Sequence, residues 1–104
     1  MHVARPELCK ELYELIGWKS DRPILSQWRT TKSGAQAKQI IAYEYDLGYL
    51  LRKLATASRH YNVKLYYSVA LKVWCCELSH YGNPKKADTP EDAACKLAIK
   101  LIEQ

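Results

Sequence analysis

Asn62-Val63-Lys64-Leu65-Tyr66-Tyr67-Ser68-Val69-Ala70-Leu71-Lys72-Val73-Trp74-Cys75 decides the fold, because its apolar residues recur with a period of two. Val63, Leu65, Tyr67, Val69, Leu71, Val73 and Cys75 alternate with Lys64, Tyr66, Ser68, Ala70, Lys72 and Trp74. Alternation of that kind places one set of side chains on each face of a β-strand. A single strand of this length would run to roughly 40 Å at about 3.3 Å per residue, too long for a small domain. The pattern therefore predicts two antiparallel strands, at about 62–67 and 70–78, joined near residues 68–70. No Gly or Asn is available there for a tight two-residue turn.

Outward from this hairpin the period becomes helical. Pro6 to Gly17 reads as a first helix, opened by Pro, closed by Gly, with Leu8, Leu12, Leu15 and Ile16 on its apolar stripe and Glu7, Glu11 and Glu14 on its wet side. Leu47, Leu50, Leu51 and Leu54 mark a second helix over 42–54 that Asp46 is placed to cap, and Ile40 and Tyr43 extend the stripe back toward residue 36. Thr89-Pro90-Glu91-Asp92 starts a third: Thr accepts from free amides, Pro fits the first turn, and the acids oppose the positive helix end. Ala93, Ala94, Leu97, Ala98, Leu101 and Ile102 supply its apolar stripe. Residues 17–34 read as irregular, with a short strand at 24–30, and 80–86 as a loop rich in Gly, Asn, Pro and Lys. The expectation is a small single α+β domain over residues 1–104, with about three helices on one face of a short antiparallel sheet whose hairpin spans about 62–78.

Length and composition agree. A chain of 104 residues, 48% hydrophobic, is the size of one domain and long enough for a core without disulfide or metal staples. No apolar run approaches the roughly 20 residues of a membrane-crossing helix, and the N-terminal residues form no secretory signal. The expectation is a soluble, cytoplasmic protein that does not engage membranes. Cys9, Cys75, Cys76 and Cys95 form no CxxC pair and read as reduced, structural thiols, so neither cofactor nor metal is expected. Cys75 or Cys76 with His80 has a short ligand-like spacing but lacks a second pair.

All aromatic residues carry a polar tip: eight Tyr, three Trp, no Phe. Such side chains work where one end is buried and the other wet. The formal charge of +5 is concentrated in the middle of the chain, +4 over 15–43 and +6 over 47–87, while both ends are mildly acidic. That asymmetry favours an anionic partner through long-range steering. Cys75 or Cys76, with His60 or His80, are the parts of a nucleophile–base pair, but nothing around them signals activation, and no phosphate loop or paired-carboxylate motif occurs. No enzyme is expected.

Two basic–aromatic clusters suit a binding role. Arg52, Lys53, Arg59, His60, Tyr61 and Lys64 form one; Trp18, Lys19, Arg22, Trp28, Arg29 and Lys32 form the other. Cations suit phosphates and the aromatics suit unstacked bases, although each cluster is also explained as a solvated face with Trp capping the core. On the hairpin, Lys64, Tyr66, Lys72 and Trp74 share the even-numbered set and are expected to project outward together, unless Trp74 packs under the 17–34 loop. Tyr, Trp and Arg are frequent interface anchors. The expected partner-binding residues are thus Trp18, Arg22, Trp28, Arg29, Lys64, Tyr66, Lys72 and Trp74.

Three segments taken together resemble a known group. They are Glu7-Leu8-Cys9-Lys10-Glu11-Leu12-Tyr13-Glu14-Leu15 with Gly17-Trp18, Tyr45-Asp46-Leu47-Gly48-Tyr49-Leu50-Leu51-Arg52-Lys53-Leu54, and Ala87-Asp88-Thr89-Pro90-Glu91-Asp92-Ala93-Ala94. In this order they resemble small uncharacterised proteins encoded by bacteriophages and prophages. The resemblance implies an accessory protein acting in the bacterial host cytoplasm and carries over no catalytic residue. The expected function is non-enzymatic binding of a host or phage macromolecule, a protein ahead of a nucleic acid, with homodimerisation through a sheet edge as a further expectation.

Overall fold

The computed structural model describes residues 2–58, 62–79 and 81–102, and the side chains of all of these except 25–29, 37–39, 81 and 102. Helix α1 (Pro6–Ile16) is followed by strands β1 (Pro23–Thr30) and β2 (Gln36–Tyr43), helix α2 (Leu47–Ala57), strands β3 (Val63–Ser68), β4 (Val73–Leu78) and β5 (Tyr81–Ala87), and helix α3 (Pro90–Ile102). The strands form two antiparallel sheets, a β1–β2 ribbon and a three-stranded sheet in the order β3-β4-β5. The expected small α+β fold is present. No described helix is long and apolar enough to cross a membrane.

Local chemistry explains the helix ends. Gly17 takes φ 73° at the end of α1, where its N–H reaches the Tyr13 carbonyl at 2.7 Å, a left-handed cap that costs least in glycine. Asp46 caps α2 by accepting from the Tyr49 N–H at 2.7 Å. Thr89 Oγ1 accepts from the Asp92 N–H at 3.2 Å at the start of α3. Helix α2 starts at Leu47, however, and the residues expected to extend it toward 36 belong to β2.

Helix α3 is the centre of the core. Ala93, Ala94, Cys95, Leu97, Ala98 and Ile99 are all buried, because α3 packs against α1, α2 and every strand of the three-stranded sheet. Its small alanines let these neighbours approach closely. Cys9 and Leu12 of α1, Leu50 and Leu54 of α2, and Cys76 and Leu78 of β4 join the cluster, with Ala4, Tyr43, Tyr45 and Ala87. Leu15 and Ile16, on the expected stripe of α1, remain 44% and 41% exposed. The Arg5–Asp92 ion pair fastens the segment before α1 to α3: Arg5 Nε donates to Asp92 Oδ2 at 2.8 Å and its N–H to Oδ1 at 2.7 Å.

The ribbon stands apart. Among the described residues β1 touches no element but β2, and β2 touches only β1 and α1. Tyr43 at its base packs on Tyr13 with ring centroids 5.2 Å apart. Beyond that anchor the strands are paired to Thr30↔Gln36, with a register irregularity around Leu25. The result is an elongated molecule, 55 × 28 × 19 Å, with a radius of gyration of 15.7 Å, against about 13 Å for a compact domain of this size.

Strand β5 occupies residues read from composition as a loop. It pairs with β4 through Trp74↔Ala87, Cys75↔Lys86 and Cys76↔Lys85, then shifts register before Leu78↔Tyr81. Pro84 is tolerated because β5 lies at the sheet edge, where a missing N–H is harmless.

Candidate functional site

The hairpin turn occupies residues 69–72, later than expected, and this changes which side chains share a face. Val63↔Leu78, Leu65↔Cys76 and Tyr67↔Trp74 alternate with Lys64↔Glu77, Tyr66↔Cys75 and Ser68↔Val73. Across the hairpin, every odd residue opposes an even one. Trp74 therefore joins Val63 and Leu65 on the core side, where all three pack against the buried cluster. The expected outward quartet of Lys64, Tyr66, Lys72 and Trp74 is corrected accordingly. Lys64 and Tyr66 share the outer face, Lys72 sits in the turn, and Trp74 lies on the opposite face, edge-on to Tyr67 at 5.5 Å. Cys75 and Cys76 point to opposite faces, as adjacent strand residues must, and both are buried.

The turn itself is apolar and exposed. Val69 is 79% and Leu71 55% exposed, with Tyr67 at 47% and Tyr66 at 40% in the strand leading into it. Ser68 organises the turn: its carbonyl accepts from the Lys72 N–H at 2.7 Å and its hydroxyl from the Leu71 N–H at 3.2 Å. Lys72 adopts φ 56°, left-handed backbone that a non-glycine residue takes only when its surroundings demand it. Partial desolvation raises the Tyr66 hydroxyl pKa, helped by nearby Glu77 and Cys75.

The other expected binding residues lie elsewhere. Trp18 is half-buried against the core, edge-on to Tyr49 at 6.5 Å, with Lys53 Nζ 5.7 Å from its ring centroid. Its carbonyl accepts the Tyr45 hydroxyl, and Tyr45, fully buried, stacks on Tyr49 at 5.5 Å. This is an aromatic cap on α2. Burial raises the Tyr45 hydroxyl strongly, and the Tyr49 hydroxyl is buried with no partner among the described atoms. Arg22 lies at the foot of the ribbon, 3.6 Å from Glu44. Trp28 and Arg29 are placed on β1 opposite Lys38 and Ala37, but their side chains lie outside the described set. Arg59, His60, Tyr61 and His80 also lie outside the described residues. The eight expected residues thus lie on the α2 cap, on the ribbon, and on the outer face, turn and inner face of the hairpin.

All four cysteines are free and buried. Burial pushes the Cys76 thiol up to about 12 and raises Cys9 and Cys95 too, so these sulfurs stay protonated and unreactive near neutrality. Among the described residues, no group of three or more His, Cys, Asp or Glu converges on a point that could hold a metal. A cleft of about 320 Å³ between α1, β5 and α3 is lined by Leu8, Glu11, Lys85, Lys96, Ile99 and Lys100, and Lys96 Nζ is held by the Lys86 carbonyl at 3.1 Å.

The sequence places the turn near residues 68–70 but reads Leu71 and Lys72 as strand; the turn takes in both, and the exposure of Val69 and Leu71 together is the feature that sequence reading missed. No family model, curated protein or solved structure matches the chain.

Proposed function

We propose that this chain is a non-enzymatic, phage-type accessory protein that binds a host or phage protein through the end of the β3–β4 hairpin. The observation that carries the proposal is the concentration of Tyr66, Tyr67, Val69 and Leu71, each at least 40% exposed, within six residues. Isolated exposed apolar residues are ordinary, but a cluster of them is a common mark of an interaction surface. Two tyrosines supply amphipathic anchors and Lys72 a rim charge. The Ser68 hydrogen bonds hold the turn in one conformation, which lowers the entropy lost on binding.

A second reading has its own support. Residues 22–43 carry Arg22, Arg29, Lys32 and Lys38 and no acid. They form a two-stranded ribbon, an element of the width that the major groove of duplex DNA admits.

Capture from bacterial lysate with nuclease treatment separates the two. The proposal expects a single stoichiometric protein that resists nuclease, is lost with Val69→Ser/Leu71→Ser, and is retained by Arg29→Ser/Lys38→Ser. Nuclease-sensitive capture that weakens steeply with salt and depends on the ribbon cations would overturn it in favour of nucleic acid.

A further inference from the structure

We infer that β3 is a self-association edge, pairing antiparallel with β3 of a second copy about a two-fold axis through Leu65. Among the described residues strand β3 has β4 as its one ladder neighbour, and its other side carries no described strand. The opposite edge of the sheet is blunted: β5 contains Pro84, and its pairing with β4 shifts register between Cys76 and Leu78. Strand β3 has neither device. It is regular over all six of its pairs with β4, contains no Pro or Gly, and consists largely of β-forming residues, Val63, Leu65, Tyr66 and Tyr67. A regular edge with a single charged residue, Lys64, and neither Pro nor bulge is a template for another strand.

The identity of that strand follows from charge and parity. For two copies to form one continuous sheet with both helical layers on the same side, opposed residues must come from the same face of β3. Only axes that pass through a residue satisfy this. An axis through Lys64 would set ammonium against ammonium, and one through Tyr66 would set Lys64 against Ser68, where neither an aromatic ring nor an opposite charge meets it. An axis through Leu65 sets Lys64 of each copy against Tyr66 of the other on the outer face, a cation beside an aromatic ring, twice by symmetry. On the core side it sets Val63 against Tyr67 of the second copy, covering a ring that is 47% exposed in the single chain. Lys64 is the one charged residue of β3, so this register leaves no like-charge pair within the strand pair. The turn at residues 69–72 lies beyond the paired positions, so Val69 and Leu71 stay free in the dimer, while Tyr66 and Tyr67 are shared with the partner-binding surface proposed above.

The test is the mass of the full-length protein by sedimentation over micromolar to near-millimolar concentration. The expected result is a reversible monomer–dimer equilibrium. Tyr66→Lys, which opposes Lys64 of the other copy, is expected to weaken the dimer about three- to tenfold. Lys64→Glu/Tyr66→Lys, which restores opposite charges only in this register, is expected to recover it. Circular dichroism establishes that each variant is folded. A monomer throughout the range overturns the inference, as does a dimer indifferent to Tyr66→Lys or one that the double variant does not rescue. Val69→Ser/Leu71→Ser is expected to leave the equilibrium unchanged; its loss would place the contact at the turn instead.

Discussion

Replacing Asp92 with asparagine tests how the N-terminal segment is held. The Asp92 side chain is 3% exposed and accepts from the Arg5 N–H at 2.7 Å and from Arg5 Nε at 2.8 Å. Asparagine keeps one oxygen acceptor but turns an amide donor toward the other Arg5 donor, so one charge-assisted bond is lost. Such a bond contributes about 1.5–3 kcal/mol. Because the Arg5 side chain is 58% exposed, water screens part of the attraction. The expected loss for Asp92→Asn is therefore about 2 kcal/mol, a fall of roughly 1.5 M in the urea midpoint at a slope near 1.3 kcal/mol/M.

The pH dependence gives an independent check. Burial alone would raise the Asp92 pKa, but the two hydrogen bonds and the charge of Arg5 outweigh it, and the net shift is downward. A carboxylate lowered on folding contributes stability that is present above its unfolded pKa, about 3.9, and is lost as pH falls through the folded value. The gap between wild type and Asp92→Asn should be full at neutral pH and close in acid. Arg5→Ala should also destabilise, and the Arg5→Ala/Asp92→Asn double variant should lose less than the sum of the two. A neutral-pH difference below about 0.5 kcal/mol, within the spread of ordinary surface substitutions, would refute the reasoning. So would a gap that persists undiminished in acid.

Asp46→Ala removes the acceptor for the Tyr49 N–H and is expected to lower stability by about 1 kcal/mol, measured by denaturant unfolding. Gly48→Ala is expected to raise it by about 0.5 kcal/mol, since a methyl there meets only ordinary contacts, with Asp46 Oδ1 at 3.5 Å and Arg52 Nη1 at 3.8 Å. With Cys76 held up to about 12, the folded chain keeps a proton that the unfolded chain releases above about 8.5. Stability should therefore decline as pH rises from about 9 toward 12, and a thiol reagent at neutral pH should modify the buried cysteines only at the rate of opening; immediate labelling of all four would contradict the burial.

The sequence was most legible where structure is local. The Pro6 start and Gly17 stop of α1, the Asp46 cap of α2 and the Thr89-Pro90-Glu91-Asp92 start of α3 each depend on residues within one turn of one another. Strands β1, β2 and β5 depend on partners across a ladder. Ile40 and Tyr43, three apart, imitate a helical stripe, yet pairing with Leu25 and Pro23 draws them into β2. Gly82, Asn83 and Pro84 describe a loop by composition and become an edge strand through β4. The binding surface was obscured for a narrower reason. Alternation identified the two faces of the hairpin but not the length of its turn, and a displacement of one residue exchanges the faces of the following strand. That displacement moved Trp74 inward and left Val69 and Leu71 in solvent.

The same arithmetic limits how the chain tolerates insertions and deletions. With β3 and a four-residue turn held in place, adding one residue between Ser68 and Val73 would set Cys75 and Glu77 where Cys76 and Leu78 now lie, removing one would set Glu77 and Ser79 there, and either carries a carboxylate into the buried cluster. A change of two residues preserves the parity, so the same face of β4 stays toward the core. Length variation in this loop should therefore occur in steps of two, and the tip should be able to change its contact chemistry while the sheet beneath it stays the same.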